Sequence, residues 1–123
     1  MEKVKVGVRV LFAILMINSG LNKFFQFSEM HKMTDGADAL LGAFMASGYM
    51  FPLVGAVELI AGLFLLSKKY SALGGVLMMP ITVNIVALHC VLDPAGCLVG
   101  IVLMLINIWV LWEERERLAG IIA

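Results

Sequence analysis

Four long apolar runs, separated by polar segments, dominate the pattern along the chain. They cover about residues 4–27, 50–67, 70–92 and 96–112. Each run is about as long as a helix that crosses the hydrocarbon core of a bilayer. A backbone in hydrocarbon must satisfy its own hydrogen bonds, and a helix does so within one segment. We therefore predict an all-α fold, a four-transmembrane-helix bundle that makes a single membrane domain of residues 1–123.

The polar segment between the first two runs, residues 28–47, predicts a helix of another kind. Asp35 and Asp38 fit an N-cap and an acidic first turn, and Gly48 fits a stop. The large apolar residues between them share one helical face: Leu40, Leu41, Phe44 and Met45. We expect a short amphipathic helix at the membrane interface between spans 1 and 2. The alternative is a solvated loop.

Basic residues are concentrated in the segments that four spans would place on one side of the membrane. That side holds Lys3, Lys5, Arg9, Lys68, Lys69, Arg115 and Arg117, whereas the other side holds Lys23 and Lys32. Cytoplasmic segments of membrane proteins carry the excess of Lys and Arg. The pattern therefore predicts that both termini are cytoplasmic.

Composition supports the membrane assignment and narrows the partners. Of the 123 residues, 62% are hydrophobic and 15% are charged, and the mean hydropathy is +1.00. A soluble domain carries about 25% charged residues. The formal net charge is zero, which provides no general attraction to nucleic acid. The lipid bilayer is the expected surrounding, and no nucleic-acid partner is predicted.

Glu58 is the charged residue in the middle of the second apolar run. A carboxylate near the bilayer centre costs on the order of 3 kcal/mol unless it has a partner or a proton. Gly55 and Gly62 lie three residues before and four after it, on one helical stripe. Glycines on that stripe allow a neighbouring helix to approach closely. We predict that Glu58 faces another helix and that the other spans are arranged around it.

Two basic residues of other spans are expected to converge on Glu58. Side chains lean toward the amino end of their own helix, so Lys23 and His89 lean inward while Glu58 leans outward. Arg9 leans toward the cytoplasm, and we therefore favour Lys23 as the counter-ion. For His89, a local hydrogen bond to Asp93 is the alternative.

Three asparagines extend this predicted cluster around the mouth of an outward-facing cavity. The candidate residues for ligand binding or proton relay are Glu58, Lys23, His89, Asn22, Asn18 and Asn84. The alternative is that these groups, together with Asn107, only hold helices together through hydrogen bonds. No residue is assigned a catalytic role.

Cysteine chemistry is left open by the sequence. Cys90 and Cys97 flank the turn between the last two spans, on the predicted outer side, where a disulfide could form. Spacing does not decide whether they pair. Met30, His31 and Met33 could hold a soft metal such as copper, but we predict no metal site.

Several short motifs, taken in order, resemble the DoxX family of small four-helix bacterial membrane proteins. The motifs are Arg9, Gly20-Leu21-Asn22-Lys23-Phe24, the stretch from Gly55 to Gly62, the stretch from Pro80 to Asn84, His89, Asp93-Pro94-Ala95-Gly96 and Asn107. Together they cover nearly the whole chain. Cys90 and Cys97 are not part of this pattern.

The resemblance implies a protein of the bacterial inner membrane. It also implies a binding or accessory protein of a membrane redox system, since the family is named for a subunit of a thiosulfate:quinone oxidoreductase. Lys23, Glu58 and His89 would then line a pocket for a quinone, a lipid or a small hydrophobic metabolite. A redox partner protein or a second copy of the chain is the implied partner, and the chain is at most an oxidoreductase subunit. One alternative is a small proton-coupled transporter working as a dimer. The small multidrug carriers of this kind have their intramembrane Glu in the first span, whereas Glu58 lies in the second, which counts against this alternative. Another is a ligand-free assembly factor.

Overall fold

The computed structural model describes residues 2–25 and 34–122, and this part of the chain consists of helices joined by short turns. The helices are α1 (Glu2–Phe25), α2 (Asp35–Ala46), α3 (Met50–Leu66), α4 (Ser71–Ala87), α5 (Cys97–Glu113) and α6 (Arg115–Ile122). A π-helical turn (Leu88–Leu92) extends α4, and a 3-10 turn (Pro94–Gly96) leads into α5. The predicted all-α fold is confirmed.

Three helical segments are long and apolar enough to cross a membrane: Glu2–Phe24, Ser71–Leu92 and Pro94–Glu113. Helix α3 has 17 residues and reaches the required length only together with α2, from which it is bent by 92°. By length and composition, the described residues therefore contain three helices that could span a membrane, or four if the bent pair of α2 and α3 counts as one span. A right angle between α2 and α3 fits a helix that lies along the interface beside a spanning one.

The start of α2 differs from the prediction, because its N-cap is Thr34 and not Asp35. Thr34 has the extended backbone of a cap, and its Oγ1 accepts a hydrogen bond from the Ala37 N–H at 3.3 Å. Its hydroxyl also donates to the Leu92 carbonyl, which ties the start of α2 to the end of the π-helical turn. At the other end, Gly48 has a φ of +81°, which confirms it as the stop.

The spanning helices pack in the order α1, α3, α4, α5, and α5 returns to contact α1. The core between them is small and apolar, with Phe12, Ala13, Met16, Ala61, Leu65, Met78 and Val110. Large apolar side chains also cover the outside of the bundle, as expected for helices in contact with lipid.

One end of the bundle collects most of the described charges, and we call it the charged end. Lys5 Nζ lies 3.4 Å from Glu113 Oε2, and Arg117 Nη1 donates to the Lys68 carbonyl at 2.7 Å. The first contact joins the start of α1 to the end of α5, and the second joins the turn after α3 to α6. A cavity of about 270 Å³ lies at this end, and its lining includes Lys5, Arg9, Lys68 and Arg117.

The opposite end contains the connection between α4 and α5, and we call it the disulfide end. Cys90 and Cys97 are joined by a disulfide, with Cα atoms 4.7 Å apart. The structure thus settles the pairing that the spacing left open. The Asp93 N–H donates to the carbonyls of Leu88 and His89, both at 3.1 Å, which closes the π-helical turn.

Candidate functional site

The candidate site lies where α1 and α3 come into near backbone contact. A Cβ added to Gly20 would lie 2.6 Å from the Gly55 carbonyl oxygen, and one added to Gly62 would lie 2.6 Å from Ile17 Cγ1. Neither position has room for a side chain. The stripe of Gly55 and Gly62 therefore allows the close helix approach that the sequence predicts.

This close approach brings Lys23 of α1 to Glu58 of α3. The distance from Lys23 Nζ to Glu58 Oε1 is 2.5 Å, which confirms Lys23 as the counter-ion. Glu58 is 1% exposed, whereas the Lys23 side chain is 21% exposed. The acid is thus enclosed in the bundle, and the base connects it to the surface.

The pair leaves part of its bonding capacity unused among the described residues. Lys23 Nζ also donates to Ser19 Oγ at 2.9 Å. Although Lys23 lies close to it, Glu58 Oε1 makes no hydrogen bond of acceptable geometry with the part of the chain that the structure describes. Oε1 is thus held by the charge of Lys23, without a well-formed hydrogen bond from the described residues.

Arg9, the other candidate counter-ion, is engaged elsewhere. Its Nε donates to the Leu65 carbonyl at 3.0 Å, near the end of α3. The last carbonyls of a helix have no partner within the helix, and a basic side chain can satisfy one of them. Arg9 thus holds α3 at the charged end.

His89 lies in the connection between α4 and α5. Its Nδ1 is 3.4 Å from Asp93 Oδ2, within ion-pair distance, but it makes no hydrogen bond of acceptable geometry with the described residues. The ring packs so closely on Gly96 that no side chain could replace that glycine's hydrogen. The contacts of His89 among the described residues are with its own loop rather than with Lys23 or Glu58.

The three asparagines of the predicted cluster are placed differently from one another. Asn22 is partly buried beside Lys23 in the sequence, whereas Asn18 and Asn84 are exposed on the outside of the bundle. Of the six predicted site residues, the structure brings Lys23 and Glu58 into contact. Whether the other four take part in binding stays a prediction.

Sequence reasoning missed Ser19 as a member of the site. It lies four residues before Lys23 on the same helix face, and this spacing was the signal available in the sequence.

A second polar cluster lies between α4 and α5. Thr82 Oγ1 donates to Asn107 Oδ1 at 2.7 Å, and Asn107 Nδ2 donates to the Gly75 carbonyl at 3.0 Å. Both side chains are buried and satisfied within the chain. Asn107 therefore joins α4 to α5, in agreement with the alternative that these polar residues hold helices together.

The metal ligands considered from the sequence, Met30, His31 and Met33, lie outside the described residues. Within residues 2–25 and 34–122, no group of three or more His, Cys, Asp or Glu side chains comes together.

Chemically, the pair of Lys23 and Glu58 presents one donor group and one acceptor group with no net charge. Buried in apolar surroundings, such a pair can hold a polar head group that carries a carbonyl or a hydroxyl. The apolar helix faces around it can accommodate a hydrophobic remainder.

Comparisons with known proteins agree with this architecture. The family model described as DoxX matches residues 4–90, which include most of α1, all of α2 to α4 and the buried ion pair. A protein of Bacillus subtilis (strain 168), "Uncharacterized protein YwoB", is 35% identical over 68 residues. The match covers 55% of this chain and 44% of that relative, so it spans less than half of the relative's length. No solved structure matches the chain.

Proposed function

This chain belongs to the DoxX family, and we propose that it is a binding or accessory protein of a membrane redox system. In this proposal the Lys23–Glu58 pair anchors the polar head of a small amphiphilic molecule. The molecule is a quinone, a lipid or a hydrophobic metabolite, and its apolar part lies against the spanning helices.

The observation that carries the proposal is the enclosed carboxylate of Glu58, paired with a base that reaches the surface. Glu58 is 1% exposed, and its Oε1 has the ammonium of Lys23 at 2.5 Å but no well-formed hydrogen bond among the described residues. Ionisable groups inside a membrane are expensive and usually functional. A ligand hydroxyl could donate a well-formed hydrogen bond to Oε1 beside the ammonium of Lys23.

A quinone is the ligand whose chemistry suits both members of the pair. A quinone carbonyl can accept from the ammonium of Lys23, and a quinol hydroxyl can donate to Glu58. Lys23 is partly exposed and so offers the way in from the surface. The pair would then distinguish the two redox states of the ligand by the direction of its hydrogen bonds.

We further propose that the charged end faces the cytoplasm of a bacterial cell. Lys5, Arg9, Lys68 and Arg117 line the cavity at that end, whereas Lys23 lies near the other end of α1. The positive-inside rule then places the ion pair toward the outer half of the inner membrane.

The test is to purify the protein from its native membrane in a mild detergent and to analyse the extracted lipids by mass spectrometry. We expect a redox-active lipid to copurify with the wild type. Glu58→Gln and Lys23→Met should lower its ratio to protein about tenfold, since a charged hydrogen bond is lost.

Lys5→Met is the matched control, because it removes a Lys–Glu pair at the charged end, with Nζ 3.4 Å from Glu113 Oε2. It should leave the ratio of lipid to protein unchanged. Bulk phospholipid alone in the wild type, in the same amount as in Glu58→Gln, would refute the proposal. Proton-coupled flux in vesicles that Glu58→Gln abolishes would favour the transporter alternative instead.

A further inference from the structure

The outward-facing side chains of the spanning helices are apolar with two exceptions between the ends of the bundle. Among the described residues, Asn18 of α1 and Asn84 of α4 are the exposed polar side chains within these faces. Their neighbours on the surface are large and apolar, as lipid contact requires. An exposed amide in this position needs an explanation, since lipid tails offer no hydrogen bonds.

Contacts between helices establish the depth of Asn18. Its neighbour Ile17 contacts Gly62, and Gly20 contacts Leu59. Asn18 therefore lies level with the central turns of α3, which runs from residue 50 to residue 66. At this level the surroundings of a spanning helix are hydrocarbon.

Asn84 lies closer to the disulfide end. Gly74 of α4 contacts Ala61 of α3, and Asn84 follows ten residues later. At 1.5 Å per residue this is about 15 Å further toward that end. Head groups and water can satisfy an amide there, so Asn84 needs no protein partner.

The Asn18 amide, by contrast, is exposed at mid-depth and needs a hydrogen-bond partner from a protein. No residue in the described part of the chain makes a hydrogen bond with its side chain. Leaving an amide without a hydrogen bond in an apolar medium is costly, and polar side chains in membranes act as contacts between helices.

Asn18 ends a regular stripe along the exposed side of α1. The stripe consists of Val4, Gly7, Leu11, Ile14 and Asn18, in which positions 4, 11 and 18 and positions 7 and 14 repeat every seven residues. Leu11 is 57% exposed and Ile14 is 53% exposed. A Cβ on Gly7 would have no neighbour within 4 Å, so the stripe is open to an approaching helix.

We propose that α1 binds α1 of a second copy of this chain through this stripe, with the two Asn18 amides hydrogen-bonded to each other. Copies of one chain insert with the same orientation, so the two stripes run parallel and place Asn18 at the same depth. An amide both donates and accepts, and so complements itself across a two-fold axis.

The seven-residue repeat is the second reason to choose another copy of α1 as the occupant. This period is that of paired helices that wind around each other, and one asparagine on the seam fixes their register. Gly7 lets the two helices come close near the charged end. The face of α1 that holds Lys23 and Arg9 remains packed on its own bundle.

Energy transfer between two labelled populations in phospholipid vesicles tests this interface. Fluorophores are attached at Lys69→Cys, at the charged end, and the ratio of protein to lipid is varied. We expect the wild type to self-associate and Asn18→Leu to weaken association about tenfold. Asn18→Gln keeps an amide and should retain most of the association.

Asn84→Leu is the matched control, because it removes the other exposed amide and should leave association unchanged. Absence of self-association in the wild type would refute the proposal, as would unchanged association of Asn18→Leu. Weakening by Asn84→Leu instead would assign the interface to α4.

Cross-linking tests the α1–α1 interface independently of substitutions at residue 18. Ile14→Cys should form disulfide-linked dimers in vesicles, whereas Leu105→Cys, on the exposed face of α5, should not. Equal cross-linking at both positions would show random collision and contradict a specific interface.

Discussion

At the scale of single residues, a buried acid and a partly exposed base define this protein's membrane interior. Glu58 lies enclosed between α3 and α1, and Lys23 reaches it from the last turn of α1. Each would be costly alone in hydrocarbon, but together they cancel in charge. The unequal exposure of the two partners predicts unequal effects of removing them.

Lys23→Met leaves the enclosed carboxylate of Glu58 without a counter-ion, and we expect it to lower the free energy of unfolding by about 3 kcal/mol. Glu58→Gln should cost less, because the Lys23 side chain is 21% exposed and can turn to the surface. Unfolding in detergent, followed by tryptophan fluorescence, measures both.

The double variant, Lys23→Met with Glu58→Gln, should lose less stability than the two single changes added together, because it leaves no unpaired charge. Additive losses would contradict a coupled pair.

At the scale of helices, glycines decide which pairs approach closely. Gly20 and Gly62 bring the backbones of α1 and α3 into contact, and Gly74 does the same between α3 and α4. Such close packing replaces the hydrophobic effect, which does not drive helices together in lipid. The buried bonds of Asn107 add a polar contact between α4 and α5.

Gly20→Ala should destabilise the protein by about 1–3 kcal/mol, because the new methyl would lie 2.6 Å from the Gly55 carbonyl oxygen and force α1 and α3 apart. Thermal unfolding in detergent is the measurement. Gly7→Ala is the control on the same helix, since nothing lies within 4 Å of its added Cβ. We expect that control to change stability by less than about 0.5 kcal/mol. Equal losses would show that helix propensity, not close packing, is being measured.

The connection between α4 and α5 is closed by the disulfide of Cys90 and Cys97, seven residues apart. Replacing both cysteines by serine should lower the free energy of unfolding by about 2 kcal/mol, since a short closed loop restricts the unfolded chain. Alkylation of the native protein followed by mass spectrometry checks the bond itself. Both thiols should react only after reduction, and labelling of the unreduced protein would disprove the pairing.

At the scale of the whole molecule, charge is distributed along the bundle axis. The ends of α1, α3 and α5 that meet around Lys5, Lys68 and Arg117 form the charged end. The disulfide end carries Lys23 and the right-angled α2. This asymmetry, rather than any single contact, is the basis of the proposed orientation.

A cysteine placed at each end tests that orientation in intact cells. Lys69→Cys lies in the turn after α3 and should be protected from a membrane-impermeant maleimide, because we place the charged end in the cytoplasm. Tyr49→Cys, in the connection between α2 and α3, is at an exposed position and should react. The reverse pattern of labelling would invert the proposed topology.

Much of the architecture was predictable because hydropathy and the residues that begin or end a helix are local properties of the sequence. Long apolar runs indicated the spans, Gly48 indicated the end of α2, and Lys23 was correctly chosen over Arg9 from the lean of side chains along their helices. The N-cap was misplaced by one residue because both Thr34 and Asp35 are good capping residues.

The sequence by itself determined that this is a helical membrane protein with a charged residue to satisfy in its interior. Only the tertiary structure decided which polar groups face inward, since Asn107 is buried while Asn18 and Asn84 are exposed. The physical reason lies in the solvent: lipid tails and a protein core are both apolar, so an apolar helix shows no pattern that separates its two faces. The rotation of each helix about its axis is set by packing against its neighbours, which a linear pattern does not contain.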